Sequence, residues 1–316
     1  MLEPAEELRN TPEALVIKSA PSPVKENLKL FKPDEGLSFF NGKCMVHVAN
    51  RLMFRQKAYE LVHKLYDEKG FTKKKDSDLW LSIFDALPST TTLISQNAQG
   101  LLEGTLTVVF DSPIGLPADA LYKEEIDEIR NSGRQICEFV SLGKSKTVKN
   151  SIKVLACLFY CGFLHAWQRN KSRELVITVH SRYENFYRRN IFFNRIGPER
   201  QYAKVNGEPT VLLKISLEAL SRLRRTHRAF PFYMMNFSDQ EEREFAKKIE
   251  NMVQPMSDEE FYTFFLEKTD TWERALPQQK DFIKRVYPVH QINHQEVSRA
   301  LAKGFSKKNR FSDDPQ

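Results

Sequence analysis

The stretch from 134 to 150, RQICEFVSLGKSKTVKN, begins as a strand and ends at the mouth of a helix. Alternation along it places Ile136, Glu138 and Val140 on one face and Cys137, Phe139 and Ser141 on the other. The strand reads as core, yet Glu138 is an acid in its middle. A carboxyl withdrawn from water is costly to ionise, so its pKa rises and it suits a general base near neutral pH. The alternative is an ion pair with Arg134 or with an arginine of the first helix. Behind the strand come Lys144, Lys146 and Lys149. The free amides of a helix N-terminus beside such lysines suit a phosphate.

Working outward, a helix runs from about Asn150 to Arg169, followed by the strand RELVITVH and the short helix SRYENFYRRN. Two more strands, IFFNRIG and PTVLLKISL, complete this half. On the N-terminal side KCMVHVA is a short strand and NRLMFRQKAYELVHKLYDEKGF a helix, with Leu52, Arg55, Tyr59, Val62 and Tyr66 at helical spacing and Gly70 as its stop. TTTLISQ and GLLEGTLTVVF are strands joined by the turn NAQG. LPADALYKEEIDEIRNSG is a helix opened near Asp119 and closed by Gly133. This alternation predicts an α/β (α+β) fold: a mixed, mostly antiparallel sheet with helices on both faces.

Residues 1–40, rich in Pro, Glu and Lys, read as a mobile or loosely docked arm; 41–220 form the main domain and 221–316 a helical extension. In that extension Ser238 with Glu241, Ser257 with Glu260, and Asn293 with Glu296 have capping-box spacing. Its apolar stretch FYTFFLE is expected to pack on the main domain.

The 316 residues carry 41% hydrophobic and 28% charged side chains, which excludes a disordered chain. A net charge of +7 is either a set of solvated faces or a sign of an acidic partner. The four cysteines show no metal-ligand spacing and read as reduced and structural, as in a cytoplasmic protein. The absence of GxxxxGK[ST] and GxGxxG argues against a nucleoside triphosphate or dinucleotide site. The basic run RLRRTHR lacks interleaved aromatics, and no nucleic-acid partner is expected.

The succession of elements, the mid-strand glutamate and the Phe186–Tyr187 pair on the following helix resemble the GNAT acyltransferase fold. VHVANRLMFRQKAYELVHKLYDEKGF, IGLPADALYKEEIDEIRNSGRQICEFVSLGK and VHSRYENFYRRNIFFNRIGPERQYAKVNGEPTVLLKI, over roughly 43 to 217, resemble the long-chain N-acyl amino acid synthases of the FeeM type. These are relatives of the acyl-homoserine-lactone synthases.

That resemblance implies transfer of a fatty acyl chain from a phosphopantetheine thioester, on acyl carrier protein ahead of coenzyme A, to an amino acid or similar amine. It implies Glu138 as general base, alone or through water, and Tyr187 as proton donor to the departing thiolate; a tyrosine with its hydroxyl in water is the alternative for Tyr187. Val140, Ser141, Leu142 and Gly143 would meet the pantetheine arm, Lys144 and Lys149 its phosphate, and Arg55 would help bind substrate. Neither a bound cofactor nor a metal is implied.

The chain departs from the wider pattern twice. KSKTVKNS lacks the glycines with which many GNAT enzymes hold coenzyme A pyrophosphate, which favours a carrier-bound donor. The family often reads E-x-S-R-L where this chain has E-F-V-S-L; Ser141 stands in place of the arginine, whose role is not carried over. A lactone-type signal synthase and a non-catalytic acyl- or carrier-binding module are the alternatives, and the tail leaves peripheral membrane contact open.

Overall fold

A computed structural model describes residues 36–40, 42–72, 77–145, 148, 151–169, 171–226 and 237–287. The proposed arm up to residue 35, Lys146, Lys149, Asn150 and the Asn293–Glu296 cap lie outside the described residues.

The sheet is built from β1 (Leu37–Phe39), β2 (Cys44–Val48), β3 (Thr91–Gln96), β4 (Leu102–Phe110), β5 (Ile136–Lys144), β6 (Glu174–His180), β7 (Asn194–Arg195), β8 (Arg200–Tyr202) and β9 (Glu208–Ser216). Its order is β1-β2-β3-β4-β5-β6-β9-β7, with β8 also on β9. Every pairing is antiparallel except β5 with β6. The crossover between those two parallel strands is α3 (Ser151–Leu164), extended by a π turn over His165–Arg169. α1 (Leu52–Asp67), α2 (Asp119–Asn131) and α4 (Glu184–Ile191) complete the first part of the chain. The fold is the expected mixed, mostly antiparallel sheet flanked by helices.

Period-two alternation separates two apolar layers. Val108, Cys137, Phe139, Leu175, Ile177 and Leu213 join the layer under α3. Val109, Ile136, Val176 and Leu212 join the layer under α1 and α2 with Tyr59, Tyr122 and Ile126. Gly162 lets α3 lie close to the sheet, since a Cβ there would stand 2.9 Å from the Phe139 ring and 2.8 Å from Leu106.

The chain beyond β9 continues as α5 (Leu217–Arg225), α6 (Asp239–Met252), α7 (Asp258–Phe261) with a π turn over Tyr262–Glu267, α8 (Thr271–Arg274) and α9 (Pro277–Val286). Capping boxes start α6 at Ser238 and α7 at Ser257. Ala246 and Ile249 of α6 enter the layer under α3, while Phe261, Phe264, Phe265, Ile283 and Tyr287 enter the opposite one. FYTFFLE is therefore core, as its apolarity required.

Two details differ from expectation. IFFNRIG yields only the two-residue β7, because Ile191 closes α4 and Phe192 takes a left-handed φ of 65° that breaks the extended run. β1 and β8, three residues each, carry too little local pattern to be seen in the sequence.

Candidate functional site

The site begins where two strands part. β5 and β6 pair in parallel only from Ile136–Glu174 to Glu138–Val176. Beyond that point β5 stays with β4 and β6 stays with β9. A bulge adds to the divergence: Val140 stands opposite Thr107 and Gly143 opposite Thr105, so β5 carries one extra residue, with Ser141 at φ 54°. Glu138 is the last paired residue of β5 before the opening.

Two cavities meet at this gap. The larger, about 220 Å³, lies toward α3 and is lined by Phe139, Leu142, Leu155, Phe159, Ile177 and Tyr187 among others. The smaller, about 100 Å³, lies toward α2 and holds Glu138, Trp80, Asp85, Ala118, Leu121 and Lys204. Tyr66, Val140, Ser141, Thr178, Tyr202 and Val205 border both. An apolar chamber and one of mixed, more polar lining are thus neighbours across the opening in the sheet.

Glu138 is 1% exposed. Its Oε2 accepts a hydrogen bond from the Ala118 amide at 2.8 Å and its Oε1 one from Thr178 Oγ1 at 3.5 Å. Burial pushes its carboxyl up to about 8; the Ala118 amide lowers it, Asp119 raises it, and Lys204 lowers it. The ion pair considered as the alternative is not formed: Arg134 pairs with Glu174, and Arg55 with Glu260. Tyr187 is half-buried, with its ring edge-on to Phe186 and Phe193. Burial raises its hydroxyl above the ordinary range, as do the neighbouring Tyr183 and Tyr66, so the phenol stays protonated.

Val140, Ser141 and Leu142 border the opening, but three other expected site residues do not. Arg55 shares a helix stripe with Tyr66 but sits at the N-terminal end of α1, away from both cavities, where Nη1 pairs with Glu260 and Nη2 donates to the Gln254 carbonyl at 2.7 Å. Lys144, expected behind the strand, is instead the last residue of β5, 6% exposed opposite Gly104. Gly143 lies against Leu65 of α1. Neither residue lines either cavity, because the bulge at Ser141 turns the end of β5 away from the opening. Lys149 lies outside the described residues.

Sequence reasoning missed Asp85, Tyr202 and Lys204, which arrive from the segment before β3, the end of β8 and the turn after it. Lys204 is exposed as a whole residue, and its ammonium lies 5.4 Å from the Trp80 ring centroid. Its pKa is lowered by burial of the amine and supported by Asp85 and Glu138. Asp85 accepts from the Ser82 amide at 2.7 Å, and burial raises its carboxyl. Lys69 and Arg182 also line the larger cavity, close enough that Arg182 helps lower the pKa of Lys69, after burial. The local pattern of these segments is that of ordinary turns, so only the fold brings them together.

The family model for the N-acyl amino acid synthase FeeM matches residues 57–216, just over half of the 316-residue chain. The chain belongs to the FeeM family of N-acyl amino acid synthases. It is an acyltransferase.

The structure of FeeM, an N-acyl amino acid synthase from uncultured soil microbes, is similar over 61% of this chain and 98% of its own, with 22% identity and a TM-score of 0.52. Two further solved structures are more distant. TofI, in a ternary complex with an inhibitor and MTA, has 17% identity over 57% of this chain and 96% of its own, TM-score 0.43. The AHL synthase LasI has 19% identity over 55% and 90%, TM-score 0.41. No curated protein matches the chain in sequence. The FeeM-family span contains Glu138, Tyr187, Asp85 and Lys204, whereas Arg55 and the helices α6–α9 fall outside it. Among the described residues no helix is long and apolar enough to cross a membrane.

Proposed function

We propose that the protein transfers a long-chain fatty acyl group from the phosphopantetheine thioester of an acyl carrier protein to the amino group of an amino acid, by direct attack. The observation that carries this reading is the opening of the sheet immediately after a buried carboxyl, with an apolar cavity on one side and a more polar one, which holds that carboxyl, on the other. The apolar cavity suits the acyl chain. The edge of β5 from Val140 to Leu142, left by β6, suits pairing with an extended pantetheine arm, as strand edges pair with extended ligands.

In the step itself, Glu138 takes the proton of the acceptor ammonium and the freed amine attacks the thioester carbonyl. The C–N bond forms and the C–S bond breaks; Tyr187 delivers its proton to the leaving thiolate, and the second proton lost by the acylated nitrogen restores the tyrosine. The net charge of +7 favours docking of an acidic carrier.

The direct test is incubation with long-chain acyl carrier protein and a pool of amino acids, read by mass spectrometry. An acyl amide is expected; no amide from any member of the pool overturns the reading. Tyr187→Phe should lower kcat about 10²-fold with little change in the KM for donor. An unchanged kcat removes Tyr187 from the reaction.

Lys204 is proposed to hold the acceptor carboxylate, because it is the ammonium that shares the smaller cavity with Glu138. Lys204→Met should lower the preference in kcat/KM for an amino acid over its decarboxylated amine by roughly 10-fold, the worth of one charge-assisted hydrogen bond. Comparing the two acceptors cancels any effect on Glu138. An unaltered ratio rules this role out.

A further inference from the structure

The loop that supplies the Ala118 amide to Glu138 is held by an unusually connected arginine. Arg130 on α2 forks onto two carboxylates at once. Nε and Nη2 donate to Asp111, each at 2.8 Å, while Nη1 and Nη2 donate to Asp119 at 2.7 and 2.6 Å. Nη1 also reaches Asp127 at 2.7 Å. Asp111 follows the end of β4 and Asp119 opens α2, so the clamp ties together both ends of the loop 112–118. Asp119 Oδ2 in turn accepts from the Leu116 amide at 2.6 Å, and the Gly115 amide donates to the Ser112 carbonyl at 2.8 Å. Gly115, at φ 78°, has no room for a Cβ, which would lie 2.4 Å from Asp119 Oδ2. The amide after Pro117 is the one left pointing at Glu138.

We propose that Arg130 is a positioning residue for the general base: its clamp holds the Ala118 amide on the Glu138 carboxyl and neutralises the aspartates beside it. This rests on the base role given to Glu138 above. The groups facing Glu138 from the elements around it are Asp119 on α2, Lys204 and Tyr202 from the β8 segment and Thr178 on β6, while Cys137, next to it in the strand, lies on the opposite face. The Ala118 amide stabilises the carboxylate and the Asp119 charge destabilises it. Loss of Arg130 frees the loop and leaves Asp119 uncompensated. Both changes disfavour the carboxylate, so they shift the base in the same direction.

The experiment is the pH profile of kcat/KM for amide formation by wild type, Arg130→Gln and Arg130→Lys. Arg130→Gln should move the acidic limb upward by about one unit, and at pH 7 lower the rate about tenfold. Arg130→Lys, which keeps a charge but cannot fork onto two carboxylates, should shift by less in the same direction; it is read in the same way if the glutamine variant does not fold. A limb coincident with wild type in a folded variant, even one with a lowered Tm, overturns the proposal.

An infrared titration of ¹³C-glutamate protein, with the Glu138→Gln spectrum subtracted, reads the same carboxyl without turnover. It therefore separates failure of the clamp from failure of the acyl-transfer reading. An Arg130 variant with an unshifted Glu138 band sinks the clamp whatever the enzyme does.

Discussion

Glu138→Gln is expected to lower kcat for amide formation by about 10²–10⁴-fold, the usual contribution of a positioned base. The wild-type rate should climb as pH rises through about 8, where the buried carboxyl ionises, and the variant should lack that limb. Instability does not offer a competing explanation. The carboxyl is raised in the folded state from its ordinary 4.5 to about 8, so the stability it contributes is fully present below pH 4.5 and is lost as pH rises through about 8. Near pH 8 the neutral amide is therefore no worse buried than the acid it replaces. Thermal melts at pH 5 and pH 9 check this: the wild type should lose more stability between the two than the variant does. A glutamine variant with the wild-type rate and the same pH limb would end the base assignment.

Arg55→Ala carries the largest expected effect on stability, about 3–5 kcal/mol, because it strands a buried charge. Arg55 and Glu260 are 7% exposed each. Among the described residues Glu260 Oε1 has no hydrogen-bond partner to fall back on, and Oε2 keeps the Ser257 amide at 2.8 Å. The pair fastens α7 to α1, and with it the aromatic packing of Phe264 on Tyr59 at 5.2 Å and Phe261 on Tyr287 at 4.5 Å. Urea unfolding should show the loss as a lower midpoint. The double variant Arg55→Met with Glu260→Met should recover most of it, since apolar side chains of similar volume fill such a site well. Acceptor KM per folded molecule should stay within a few-fold in the double variant. A stable Arg55 variant that cannot bind acceptor would instead return this arginine to the substrate site.

Much of the framework was legible along the chain because it depends on near neighbours. The two-residue period of QICEFVSLG placed Glu138 on the α2 side and Phe139 on the α3 side. The turn NAQG closes through Asn97 Oδ1, which accepts from the amides of Gln99 and Leu101, both at 3.0 Å. The caps at Ser238 and Ser257 involve groups three residues apart. The Phe186–Tyr187 pair drew notice through a family likeness, and the helix that carries it presents Tyr187 to the larger cavity.

The rest depended on partners distant in sequence. Nothing near Arg55 announces Glu260, 205 residues away, and an arginine on a helix face is equally suited to substrate or to structure. The bulge that turns Gly143 and Lys144 away from the opening follows from register against β4, since a positive φ at a serine has no signature of its own. Asp85, Tyr202 and Lys204 reach Glu138 only once the β8 turn and the segment before β3 have folded over the sheet. Side-chain period and caps are local geometry and can be read in order along the chain. Strand order, the point where β5 leaves β6, and the charges gathered there arise from packing among elements far apart, and packing has no local record.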